Sequence, residues 1–144
     1  MASAEANMMA FESALTMEDV DYAELEDTSI PTVVMHFRTE CVSKVDVLFS
    51  FDRGDNTFRC STGPIATVPA QRRRSALHVI NAMNGTYRWF NFYLTNDGEV
   101  QAQSDAILVD DHVGDMCMTY LANLLKIVDD AYPRLMTGIW SEQG

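Results

Sequence analysis

Basic residues, cysteines and long apolar runs are all scarce in this chain, and each scarcity excludes a class of protein. Ten Lys and Arg against 21 Asp and Glu leave a formal charge of −11 at pH 7 and a pI near 4.4. General nucleic-acid binding needs a basic surface that matches phosphates, so it is not expected here. No apolar run reaches the ~18 residues that a membrane-spanning helix requires. The opening residues, Met1-Ala2-Ser3-Ala4-Glu5, lack the basic and apolar regions of a secretory signal, and the expected compartment is the cytoplasm. Cys41, Cys60 and Cys117 form an odd, widely spaced set with no CxxC pair, unlike a disulfide framework. All three read as structural, and Cys117 falls on the apolar stripe of a helix, where cysteine serves as a small buried hydrophobe.

Catalytic signatures are missing too. The chain has no P-loop, GxGxxG, GxSxG or HExxH motif. His36 lies in the middle of a strand pattern and His78 in the middle of a helix pattern, neither with a second ligand at a suitable spacing. No catalytic residue, metal ligand or cofactor is therefore assigned. Internal repeats, low-complexity tracts and Pro/Gly-rich linkers are absent as well.

What is present is one domain's worth of chain, 144 residues of which 47% are hydrophobic, enough to bury a core without staples. Residues 1–7 are small and polar and read as disordered, leaving 8–140 as a single domain. Met8, Phe11 and Leu15 share one face of a helix expected over 6–19. Tyr22–Glu26 reads as a short edge strand. A two-residue alternation then marks strands at Thr32–Arg38, Lys44–Asp52 and Thr57–Thr62, with 52–56 as a hairpin loop. Pro69 suits the start of a helix running to Met83, with Ala76, Leu77, Ile80 and Met83 facing inward and Asn84-Gly85 closing it. Tyr87–Thr95 reads as a strand, Asn96-Asp97-Gly98 as a hairpin turn and Glu99–Val109 as the returning strand. A final helix, capped by Asp110 or Asp111, carries an apolar stripe from Val113 to Ala131, with Pro133 near its end. The expected class is α+β: an antiparallel sheet of about five to six strands flanked by helices, in the order α-β(3–4)-α-β2-α.

Three groups of residues invite a functional reading. Asp110, Asp111, His112 and Asp115 could present carboxylates and an imidazole to a metal. Helix capping explains the same residues more economically, and no further ligand stands out. Arg72, Arg73 and Arg74 sit at the start of the middle helix, the wrong end of its dipole for cations. Acidic residues of the N-terminal segment, or of a partner, would compensate them. Residues 1–37 hold eight acids and no Lys or Arg, whereas five of the ten basic residues lie between Arg59 and Arg88. That asymmetry suits either simple solubility or the steering of a partner or second copy. Finally, Tyr87, Trp89 and Tyr93 fall on the face of their strand opposite Phe90 and Phe92, exposed unless another element covers them.

The stretch from Ala76 to Val109, with Asn81, Asn84, Phe90, Asp97-Gly98 and Val100, resembles the YbjN family of bacterial sensory-transduction regulators. The resemblance covers residues 8–135 and is carried by 76–128, although no Trp-Asn follows the middle helix as in some members. It implies a fold like that of type III secretion chaperones, often paired into a dimer, and no catalytic residues. Together these readings lead to a protein-binding regulator or chaperone-like module. It is expected to form a homodimer and to engage a further protein through Tyr87, Trp89, Tyr93 and Arg72–Arg74, without membrane or nucleic-acid contacts. Nine methionines suit adaptable contacts of that kind. The alternative is a small-ligand or metal sensor domain.

Overall fold

The computed structural model describes residues 3–109 and 111–141. Helix α1 (Ala4–Met17) begins inside the polar lead, because the Ser3 hydroxyl accepts from the Ala6 N–H at 3.1 Å and caps the first turn. Phe11 and Leu15 are fully buried, and Glu12 joins them on the buried side. The helix stops where Asp19 turns into the left-handed region, φ 57°.

Strands β1 (Ala23–Glu24), β2 (Thr32–Phe37), β3 (Val45–Phe51) and β4 (Thr57–Thr62) follow in an antiparallel meander. Strand β5 (Ala66–Thr67), absent from the sequence reading, is a two-residue return after the Gly63-Pro64 break. A 3₁₀ turn (Ala70–Arg72) preceded by Pro69 leads into α2 (Arg73–Thr86). Strands β6 (Asn91–Leu94) and β7 (Glu99–Ile107) and helix α3 (Val113–Ile139) complete the fold, which is α+β with three helices and a seven-stranded antiparallel open sheet.

Strand β7 organises the far side of that sheet. Val100 pairs with both Ala66 and Leu94, and Gln103 with both Ser61 and Asn91. Strands β4 and β5 therefore follow one another along one edge of β7 while β6 takes the opposite edge. Because β6 reaches only to Gln103, residues 104–107 of β7 have no strand partner on that side among the described residues.

The register places Val33, Met35, Val47, Phe49, Phe58, Cys60 and Ala102 on one face, and all are buried. Phe11 from α1 inserts there, its ring 4.3 Å from Phe49, and Tyr120 of α3 meets Phe58 edge-on at 5.2 Å. Burying such a ring contributes about 2–3 kcal/mol, which is why the alternating pattern dictates the register. The opposite face is more polar and carries the His36–Asp46 hydrogen bond (2.6 Å) and the Arg59–Asp105 ion pair (2.7 Å).

Three sequence-based expectations change. In α2, Val79 is buried whereas Leu77 is 54% exposed, so the inward face is rotated toward α3. Helix α2 runs through Asn84-Gly85 to Thr86, and Gly85 is not left-handed. Helix α3 continues past Pro133 to Ile139, because Leu135 and Ile139 extend its buried stripe and offset the missing backbone hydrogen bond. No helix of the described residues is long and apolar enough to cross a membrane.

Candidate functional site

The three aromatics read as one strand face go three different ways, because the strand begins only at Asn91. Tyr87 ends α2, its N–H bonded to the Met83 carbonyl at 2.9 Å. Its ring lies 6.2 Å from buried Phe92 and its hydroxyl donates to Asp130 of α3 at 2.6 Å. Burial and that carboxylate push the Tyr87 hydroxyl up to about 12. Tyr93 alone stands on the sheet's outer face, half-buried and bonded to the Gln101 side chain.

Trp89 occupies the bend between α2 and β6 and is 62% exposed. Its φ of 79° lies where a side chain costs about 1–3 kcal/mol, a strain that persists only when neighbours enforce it. They do so on both sides. Before the bend, Tyr87 is tied to Met83 and Asp130. After it, the Asn84 side chain clamps Phe92 by accepting its N–H at 2.8 Å and donating to its carbonyl at 3.0 Å. The Arg88 guanidinium lies 5.3 Å from the Trp89 ring centre. The result is a large apolar ring presented to solvent on a fixed backbone. Asn84, read from the sequence as a cap, is the residue that builds this arrangement.

The three arginines also separate. Arg72 donates to the Ser141 carbonyl at 2.5 Å and lies 5.6 Å from the Trp140 ring. Among the described residues its contacts are thus at the C-terminal end of α3, whose negative dipole end suits a cation, and not with the acidic N-terminal segment. Arg73 reaches beneath the β6–β7 turn: a Cβ added at Gly98, φ 82°, would come within 2.8 Å of its guanidinium. Arg74 is exposed and has no ion pair among the described residues. Of the N-terminal acids, Glu5 pairs with Arg53 and Glu12 faces Glu24.

The remaining reactive groups are placed as follows. Cys60 and Cys117 are fully buried, and burial pushes both thiols up. Cys41 is exposed, with its thiol raised by partial desolvation and by Asp129, which accepts the Cys41 N–H at 2.7 Å. His112 occupies the cap position of α3 without a side-chain capping bond, and Asp111 and Asp115 are exposed; Asp110 lies outside the described residues. Among the described residues no three metal-ligating side chains gather. These surfaces present an exposed tryptophan on a braced bend and, at Arg74, a cation without an ion pair among the described residues.

The YbjN family model, described as "Putative bacterial sensory transduction regulator", matches residues 10–136. No curated protein matches the chain. Among solved structures it is similar to the crystal structure of YbjN from E. coli, described as a "putative transcription regulator", with 12% identity and a TM-score of 0.56. That likeness covers 88% of this chain and 91% of the other, and at such identity it shows the fold alone.

Proposed function

Since the chain belongs to the YbjN family, we propose that it is a non-enzymatic regulatory module that acts by binding a protein partner, with Trp89 at the centre of the contact. The observation that carries this reading is the strained, braced bend that holds the Trp89 ring in solvent. Tryptophan is enriched among the few residues that dominate binding energy, and a ring already fixed loses little entropy on docking. Backbone strain without a folding benefit points to a functional demand on that position.

The test is affinity capture from the native lysate with the full chain and with Trp89→Ala, both checked for folding. A partner kept by the parent and lost by the variant is expected, with stability changed by no more than about 1 kcal/mol, because the ring is mostly exposed. Light scattering on the same two proteins separates self-association from a foreign partner. Equal capture by both, or capture by neither, overturns the reading.

A further inference from the structure

The backbone of β7 has a short stretch that no strand covers on one edge. Residues of an antiparallel strand turn their N–H and C=O groups alternately to one edge and the other. In β7 the Ala102 N–H bonds the Thr62 hydroxyl and the Leu108 N–H the Asn56 carbonyl, both toward β4. The Glu99 carbonyl instead accepts from the Thr95 N–H, toward β6. Odd-numbered residues of β7 therefore serve the β6 edge, where pairing ends at Gln103. Beyond it, the N–H and C=O groups of Asp105 and Ile107 have no hydrogen-bond partner among the described residues. The opening closes again at Val109, whose N–H meets the Met116 sulfur at 3.4 Å and whose carbonyl accepts from His112 at 3.0 Å.

Trp89 is what leaves this window open. Asn91 pairs with Gln103, so a β6 continued backward would set Trp89 opposite Asp105 and Tyr87 opposite Ile107. The positive φ of Trp89 and the anchoring of Tyr87 to α3 turn the chain away first. Two residues span at most about 7 Å, so Trp89 stays beside the end of the open edge.

Exposed sheet edges are ordinarily guarded by lysine, proline or an unpaired charge. Residues 99–109 contain no Lys, Arg or Pro, and the one acid in the window, Asp105, is held by Arg59 at 2.7 and 3.1 Å. The side chains around it, Ile107, Val109 and Trp89, are large, apolar and exposed. Because Gln103 is already paired, a second copy using the same groups would set Asp105 against Ile107 in both directions. It would also bring a further charge of −11 to the edge. A foreign strand meets neither cost.

We propose that the partner gripped at Trp89 docks as an extended strand, adding to the edge of β7 at Asp105 and Ile107. This rests on the Trp89 reading and gives that partner a form. It is an uncharged or basic segment whose backbone bonds alternate residues of β7 while an apolar side chain packs on Ile107.

The purified full chain would be used to select binders from a display library of short random peptides, which are then followed by calorimetry and amide NMR. Saturable binding is expected, with exchange of the Asp105 and Ile107 amides slowed by about tenfold or more. Methylating every second peptide nitrogen should weaken binding by about tenfold or more in one phase and little in the other, because only one set of N–H groups faces β7. Ile107→Pro removes an N–H that bonds nothing within the fold, so it should melt as the parent does yet lose the peptides. Ile107→Thr keeps that N–H and should retain them. The methylated peptides test the parent chain itself, whatever the proline does to folding. Loss of the peptides by Trp89→Ala and Ile107→Pro alike supports both readings. Loss by Ile107→Pro alone overturns the Trp89 contact and keeps the strand, whereas loss by Trp89→Ala alone overturns the strand. No selected peptide, binding insensitive to the phase of methylation, or a dimer in light scattering that Ile107→Pro abolishes would each overturn the proposal.

Discussion

Glu12 is the residue whose environment departs furthest from what its type suggests. It is 8% exposed on the buried side of α1, and its Oε2 has no hydrogen-bond partner among the described residues. Burial first, and then the Glu24 carboxyl beside it on β1, push its carboxyl up to about 7 from an ordinary 4.5. The folded chain therefore holds this proton more tightly than the unfolded chain does. The stabilisation is complete below pH 4.5, declines as pH rises, and is gone above about pH 7. Glu12→Gln keeps the shape and removes the titration. Urea melts should show parent and variant alike near pH 4, with the variant ahead by on the order of 2 kcal/mol at pH 8. Parallel pH profiles for the two proteins would contradict this account. In the sequence Glu12 is one of eight acids in a stretch without bases. It lies one helical turn from Met8 on the same side as Leu15, but only the tertiary structure buries it and brings Glu24 of β1 beside it.

At the scale of elements, the connection from α2 to β6 shows how a local signal yields to a tertiary one. Asn-Gly after an apolar helix suits a left-handed cap, yet the helix continues to Thr86 and the left-handed residue is Trp89. The reason is the pair of bonds from Asn84 to the Phe92 backbone, which ties the end of α2 to the start of β6. Asn84→Ala leaves the N–H and carbonyl of a buried residue without these partners, and should cost about 1–3 kcal/mol in chemical denaturation. Asn81→Ala, at an exposed position one turn earlier, should change stability by less than about 0.5 kcal/mol. If the two variants matched, the clamp would have no weight in holding the bend. The same variant should also weaken partner capture, because Trp89 would lose one of its braces.

At the scale of the whole molecule, the sheet and helices enclose a single apolar layer that contains two of the three thiols. Cys60 on β4 and Cys117 on α3 are fully buried, whereas Cys41 stands on the surface beside Asp129. A colorimetric thiol titration should count one reactive cysteine of three in the native protein, reacting slowly because its thiol is raised, and all three in denaturant. More than one in the native state would mean that the layer opens. By itself, the sequence determined the class, because the period of its apolar residues changes between two and 3.6 wherever an element changes. The same periodicity determined β4 to the residue and the buried stripe of α3, while the Asp97-Gly98 hairpin followed from residues that accept positive φ. Only the tertiary structure decided the two-residue strand β5, the fate of Glu12 and the turning of Tyr87 inward. It alone brought Gly138 of α3 against Val79 of α2, fifty-nine positions earlier in the chain. Periodicity reports which side of an element is apolar. Which neighbour that side meets, and which polar groups the meeting strands or pairs, depends on contacts between residues distant in the chain.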